Sequence, residues 1–544
     1  MLTLYKFQSY LLRPPSKAKC AKKLVAQRTA ENGVDFLSSL PIELIKEVIG
    51  YLGSEDIKTI QLCCTRLRDV AKEVIWEHVD LNTSLLVRDN HMGRFMGSNC
   101  ETTCYPFCLY SHHNCKKICI SVTTDNIKSF LNQVLASGDG SLPFDVVKVL
   151  SFHVDEYTFP GLFSSDQEAC EGHDDPASHF FEWFIEMITP EMFPRLRLIE
   201  LTSGTSHTPL RVVNSLVRLL RAKFKNVDFN VEASPNDIQA DISDLFGPSL
   251  KVLKLFNGPH AENPAKIRRL IESKQLCSSV STLFIHSEIG ILFDTKVLER
   301  FFSKATNLKV LSIKGFRTFQ SDLTWVPKSV QIISIDNQNT YSGKKPNELP
   351  PVFAHCSQPV TTLPQVTYLR LIEPPYMPQF ASFPNLQKLV LCGTGQNHEF
   401  EVLVDNLARN SPHIVQLTCK FMSYQQISKL ITSFPSLQSV VVECSLRNDL
   451  DGFKAFLNAV KGLSFIHLSI SHIMDQWSCW DFQFSLENAL KNCPNPCTIL
   501  VDTPIAGIAD YKVTTPIFDG YSRVHLFKPV YFVDSNVLTN YCNF

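Results

Sequence analysis

The chain has 544 residues, 44% of them apolar, which is more than one ordinary core requires, so several packed units or one long array are expected. Lys and Arg number 52 against 53 Asp and Glu, a net charge of -1, which leaves no global basic field to gather nucleic acid or an anionic membrane. Aromatic residues at 10% exclude a largely disordered polymer, and charge interrupts every apolar run well before the roughly 18 residues of a spanning helix.

Residues 1–34 read as a basic, flexible tail. Seven Lys or Arg (Lys6, Arg13, Lys17, Lys19, Lys22, Lys23 and Arg28) precede the first acid, Glu31, and Pro14 with Pro15 suits a solvated lead-in. The segment lacks the continuous apolar core of a secretory signal, and a mitochondrial presequence is the competing reading of its charge. Eighteen Cys without such a signal indicate a reducing compartment, cytoplasm and/or nucleus, with most thiols acting as small apolar groups.

Residues 35–81 predict two amphipathic helices. Pro41 suits a first helical position and Glu43 the positive end of the helix dipole, while Leu44, Ile45, Val48, Ile49 and Leu52 form a stripe that Gly53 ends. Ser54 caps a second run in which Ile57, Ile60, Cys64, Leu67, Ala71 and Val74 recur at three and four residues. A segment this short has too little interior for both stripes, so part of its apolar surface is expected to meet a partner.

The order Leu40-Pro41-x-Glu43-Leu44-Ile45, Ile49, Leu52, Asp56-Ile57, Cys64-x-Arg66-Leu67-Arg68 and Trp76 resembles the F-box. The resemblance implies docking on a Skp adaptor, with the family's contact positions falling on Leu40, Pro41, Leu44, Ile45, Ile49, Leu52, Ile57, Leu62, Leu67 and Trp76. Some of these are expected to be internal core, and the sequence does not separate the two groups.

Residues 82–140 form a Cys-rich connector. Cys100, Cys104, Cys108, Cys115 and Cys119, with His112 and His113, offer the donor types of a tetrahedral zinc site, although the spacing is C-x3-C and not paired C-x2-C. The alternative is an irregular insertion in which these Cys are ordinary small residues, and no other cofactor is implied.

From 141 to 502 one pattern recurs, an apolar residue followed at +3 and +5 by two more. Twelve copies begin at Val147, Leu196, Phe224, Leu250, Val280, Leu308, Val330, Val366, Leu386, Ile414, Leu437 and Leu463. Their spacings of 49, 28, 26, 30, 28, 22, 36, 20, 28, 23 and 26 residues mostly fall near the period of about 20 to 29 residues typical of leucine-rich repeats. The longest spacing implies an insertion.

The +3 and +5 residues suit one face of a short strand. Helical periodicity lies between copies at Leu210 to Phe224, Ile267 to Leu276, Val297 to Phe302, Val402 to Leu407 and Phe453 to Val460. The expected fold is therefore α/β, a small helical F-box followed by an irregular leucine-rich-repeat solenoid. A doubly wound parallel sheet is the alternative, but no G-x-G-x-x-G or phosphate-binding loop follows any copy.

Residues at +2 and +4 are expected on the free face of such a sheet: Val252, Lys254, Phe284, Val310, Ser312, Ile332, Tyr368, Arg370, Lys388, Phe465 and His467. Phe284, Tyr368, Arg370, Lys388, Phe465 and His467 are the candidate target contacts, and Lys254, Arg370 and Lys388 have the chemistry to pair with a phosphate or an acidic segment. Asp174-Asp175 beside His173 and His179 reads as a solvated loop. No G-x-S-x-G or H-E-x-x-H signature occurs, so no catalytic residue is assigned and the chain is expected not to be an enzyme. Residues 503–544, with Pro504, Pro516 and Pro529, suit a terminal cap.

An F-box followed by leucine-rich repeats is familiar in that family. It implies the substrate-recognition subunit of a Skp–cullin–F-box ubiquitin ligase, with cullin engaged through the adaptor and an unknown protein target on the repeats. The alternative is an F-box scaffold or trafficking protein acting without cullin.

Overall fold

Alternating apolar and polar residues put every second side chain of a strand on one face, and in the computed structural model the recurring sextets form such strands. The structure describes residues 40–50, 59–82, 107–109, 117–121, 144–154, 180–203, 210–234, 247–257, 265–318, 323–336, 361–372, 381–393, 397–446, 450–473, 497–502 and 522–527. The chain divides into two compact units, Met1–His78 with Leu109–Ile118, and Val79–Cys108 with Cys119–Phe544. Short strands also occur at His78–Asn82, Phe107–Leu109 and Lys117–Ser121.

The first unit contains helices α1 (Ile42–Gly50) and α2 (Thr65–Trp76). The second contains β1 (Val149–Val154), β2 (Leu198–Ser203), β3 (Asp228–Ala233), β4 (Leu250–Asn257), β5 (Thr282–Phe293) and β6 (Val310–Thr318). It continues with β7 (Ile332–Asp336), β8 (Tyr368–Ile372), β9 (Lys388–Cys392), β10 (Gln416–Lys420), β11 (Ser439–Leu446) and β12 (Phe465–Ile473).

Each of these strands pairs in parallel with its neighbours in sequence, from β1 through β12. A doubly wound sheet reverses its strand order at a switch point, and the order of β1 to β12 never reverses. Two further strands, β13 (Cys497–Asp502) and β14 (Ser522–Phe527), follow in the same parallel sense.

The +3 and +5 residues stand in register across the sheet. Leu253, Leu283, Leu311, Ile333, Leu369, Leu389, Leu417, Val440 and Ile466 form one row. Leu255, Ile285, Ile313, Ile335, Leu371, Leu391, Cys419, Val442 and Leu468 form the next, and both rows are buried. Each such side chain contributes about 1.5–3 kcal/mol when fully buried.

A tight turn introduces each strand: Leu386 N–H bonds Phe383 C=O at 3.0 Å, Leu437 bonds Phe434 at 3.1 Å, and Leu196 bonds Phe193 at 3.1 Å. The peptide just after the turn then links copy to copy. Ser281 N–H bonds Lys251 C=O, and the same bond repeats from Lys309 to Ser281, Gln331 to Lys309, Thr367 to Gln331, Gln387 to Thr367, Val415 to Gln387, Gln438 to Val415 and Ser464 to Gln438, each at 2.8 or 2.9 Å.

The copy placed at Phe224 is corrected by the structure. Phe224 occupies the turn, as Phe193, Phe383 and Phe434 do, and its N–H still bonds Leu220 C=O at 2.8 Å at the end of the preceding helix. The buried strand residues are Phe229, Val231 and Ala233, so this copy has one residue fewer between turn and strand. The sheet absorbs the difference as a register shift between Phe229 and Asn230.

Parallel strands need crossovers, and helices supply most of them. These are α3 (Phe180–Met187), α4 (Leu210–Lys223), α5 (Ala265–Ser273), α6 (Thr295–Phe302), α7 (Asn397–Asn410), α8 (Tyr424–Ser433) and α9 (Leu450–Ala459). The two shortest spacings carry no helix among the described residues. Between β6 and β7, Trp325 stacks on Phe302 of α6 with ring centroids 5.7 Å apart. Between β8 and β9, Ala381–Ser382 pairs with Thr361–Thr362, which precedes β8, as a minimal second sheet. Periodicity did not reveal α3, whose sequence FFEWFIEM is apolar on nearly every side, nor α8, which opens on a capping box of Ser423 with Gln426.

Lys223, at the end of α4, donates from Nζ to the carbonyls of Ile185, Glu186 and Ile188, at and just past the end of α3, where a helix leaves C=O groups without a partner of its own. Burial holds the Lys223 amine below the ordinary lysine range, and the Glu186 carboxylate opposes that shift.

Candidate functional site

Two short amphipathic helices bury one stripe each against the other. Ile45 and Ile49 of α1 pack with Leu67, Val70, Ala71 and Val74 of α2, and Leu40, Ile60 and Cys64 surround them partly buried. A Lys46–Glu73 ion pair joins the two helices at their surface.

The second predicted helical run is interrupted, which corrects the sequence reading. Leu62 N–H bonds Thr59 C=O at 3.1 Å and Cys63 N–H bonds Ile60 C=O at 3.0 Å, closing a turn. Cys64 is extended (φ -158°, ψ 164°), and its thiol accepts from Leu67 N–H to start α2. The turn leaves Leu62 87% exposed.

Several described apolar side chains of this unit lie outside that cluster. Ile42 and Leu44 are 45% and 47% exposed, and Pro41 is exposed beside them. Leu44 is one residue before Ile45, about 100° around the helix from the buried stripe. Leu62 lies three residues before α2, whose first turn is tied to the entry of α1 by Arg66 Nη2, which donates to Leu40 C=O at 2.9 Å.

The predicted adaptor contacts therefore separate. Ile45, Ile49 and Leu67 are core, with exposures of 2%, 1% and 4%. Pro41, Leu44 and Leu62 are open to a partner, and Leu40 and Trp76 are intermediate. Leu52 and Ile57 lie outside the described residues. Ile42 belongs with the exposed set although the sequence reading did not include it; its neighbours Pro41 and Glu43 at the helix start were the available signal.

On the sheet unit, three rows of side chains lie on the face opposite the core. The first contains Val252, Thr282, Val310, Ile332, Tyr368 and Lys388, with Phe465 in the same register. The second contains Lys254, Phe284, Ser312, Ser334, Arg370, Val390 and Thr418, with His467 in register. A third row, two residues further on, contains Phe256, His286, Lys314, Asp336, Ile372, Cys392, Lys420 and Glu443. The sequence reading stopped at +4 and missed this row; alternation carried two residues further finds it.

Several residues expected to be free are occupied. Val310, Ser312 and Tyr368 are buried, and Tyr368 clusters with Val390 and Cys392 against Ile332 and Ile372. Lys388 lies over the Tyr368 ring at 5.3 Å, Lys254 lies over Phe284 at 5.7 Å, and Lys254 also faces Glu232 at 3.9 Å. His286 shares a hydrogen bond with Ser312 at 3.1 Å and meets Phe256 and Phe284 edge-on. Phe284 and Arg370 are half-buried. Lys254 and Lys388 thus have local partners, which weakens the phosphate reading of this face.

Cys108 and Cys119 lie on short strands, while Cys100, Cys104 and Cys115, and likewise His173, Asp174, Asp175 and His179, fall outside the described residues. Among the described residues, no three His, Cys, Asp or Glu side chains come together as a metal site, and no helix is long and apolar enough to cross a membrane.

Residues 37–78 match the F-box domain family, spanning both helices and the turn between Thr59 and Cys63. No curated protein matches the chain.

Proposed function

We propose that this F-box protein is the substrate-recognition subunit of a Skp–cullin–F-box ubiquitin ligase. F-box domains characteristically bind the Skp adaptor, and the supporting observation here is the exposed set Pro41, Leu44 and Leu62, which lies outside the buried cluster of the two-helix unit. Leaving such side chains in water is unfavourable, and covering them with an apolar partner recovers about 25 cal/mol per Å².

The parallel array is read as leucine-rich repeats. Its support is the recurring turn, the buried rows and the backbone hydrogen bonds that run from Lys251 to Ser464. Such an array is a rigid platform for a protein target. The chain itself makes and breaks no bond: it raises the effective concentration of a target lysine near a thioester carried by other subunits. The setting is cytoplasm and/or nucleus, where thiols stay reduced.

The test is co-expression of the full chain with a Skp adaptor and a cullin. Wild type captures both, and the double variant Pro41→Ala, Leu44→Ala loses roughly tenfold or more of adaptor affinity. Adaptor without cullin would instead establish a scaffold or trafficking role, and no adaptor capture by wild type would refute the reading.

A further inference from the structure

Among the described residues, Phe421 is the one non-glycine residue with positive φ, at 55°. A bulky side chain in that region is strained, because Cβ approaches the neighbouring carbonyl. The same backbone conformation occurs elsewhere in the sheet. Lys314, Cys392 and Lys420 share one row, and the residue after each has positive φ: Gly315 at 72°, Gly393 at 90° and Phe421.

The hydrogen bonding is equivalent too, since Gly393 N–H bonds Lys420 C=O at 2.9 Å and Phe421 N–H bonds Glu443 C=O at 3.0 Å. Two copies meet the demand with glycine and the third carries an aromatic ring. Burial does not offset that strain, because Phe421 is 66% exposed. A residue that is conformationally unfavourable and half in water is better explained by something that covers it.

The charge beside it limits what that is. Lys420 pairs with Glu443 at 2.8 Å, and further along the row Lys314 pairs with Asp336 at 4.0 Å. Ile372 and Cys392 occupy the positions between these pairs. Acids and bases in the row offset each other, so it offers no net charge to an acidic or basic ligand.

We propose that Phe421 anchors an uncharged, apolar segment of a protein partner at the carboxyl edge of the sheet. This deepens the target-holding half of the function proposed above by naming a residue and a partner chemistry, and it does not rest on adaptor binding.

The test uses the immobilised full-length chain and displayed peptides of about 12 residues, enough to cross several strands at their ordinary separation, in one pool free of charged residues and one rich in Asp and Glu. Wild type is expected to enrich uncharged peptides. Phe421→Gly is expected to weaken the enriched peptides roughly tenfold while raising the melting midpoint by about 1–2 °C, because glycine relieves the strain. Phe421→Leu, still apolar, keeps binding within roughly threefold, under 1 kcal/mol on the affinity scale.

Enrichment of acidic peptides, absence of enrichment, unchanged binding by Phe421→Gly, or a lower midpoint for that variant would each overturn the proposal. Adaptor capture is measured on the same proteins. Its loss with peptide binding intact overturns the adaptor reading alone.

Discussion

Arg66 and Leu40 are 26 residues apart in sequence, yet the Arg66 guanidinium donates to the Leu40 carbonyl at 2.9 Å. The bond fixes the segment leading into α1 against the start of α2, so it orients Pro41 and Leu44 without belonging to the apolar surface. Arg66→Ala is expected to reduce adaptor affinity about fivefold, the equivalent of roughly 1 kcal/mol for one exposed charge-assisted bond. Calorimetric titration with the adaptor checks this, and Arg66→Lys should fall between the two because a single ammonium lacks the planar fork.

Core and surface positions of the helical unit should separate experimentally. Ile45→Ala or Leu67→Ala removes buried volume and is expected to destabilise the unit by about 2–5 kcal/mol. Leu62→Asp changes a side chain that is 87% exposed and should leave stability within about 0.5 kcal/mol while abolishing adaptor capture. Denaturant titration alongside pull-down distinguishes them, and a Leu62→Asp protein that still binds would remove Leu62 from the docking surface.

Two glycines should respond oppositely to alanine. A Cβ at Gly247 would run into the Arg221 guanidinium, which is held by Ser249 Oγ at 2.7 Å and lies over the Phe229 ring at 5.4 Å. Gly247→Ala is expected to destabilise by about 1–3 kcal/mol, the range for overpacking. A Cβ at Gly462 meets nothing within 4 Å, so Gly462→Ala should be neutral or stabilise by about 0.4–1 kcal/mol. Urea midpoints of the two variants provide the comparison.

Lys223 predicts a pH dependence. Its folded pKa is lowered, chiefly by burial, so the folded state disfavours its charged form relative to the unfolded chain. That unfavourable contribution is complete below the folded pKa and disappears as pH rises toward the ordinary value of 10.5. The stability margin of wild type over Lys223→Met should therefore grow as pH rises through the lowered folded pKa toward 10.5. A flat or shrinking margin in urea midpoints would contradict the assignment.

Much of the sheet was legible because an alternating sextet has one way to bury its apolar face. Leu386, Leu389 and Leu391 announce the turn and strand that the structure contains. Phe224 misled because an aromatic residue can open the turn, as Phe193, Phe383 and Phe434 do, or begin the apolar sextet after it, and the one-residue shortening that follows leaves no compositional trace. In the helical unit the stripe was readable, but whether Leu44 faced in or out depended on the partner helix, and only packing separates it from Ile45. The break at Leu62–Cys64 was hidden because Ile60, Cys64 and Leu67 keep helical spacing across it.

In the array, from β4 to β12 each strand's ladder runs to the strand before it and the strand after it, so cohesion passes along the chain in single steps. Folding then has no distant loop to close and can start at any pair of neighbours. Damage in the middle has the opposite effect: severing one link near Gln387 would leave two rafts, each internally sound, that no longer share mechanical load.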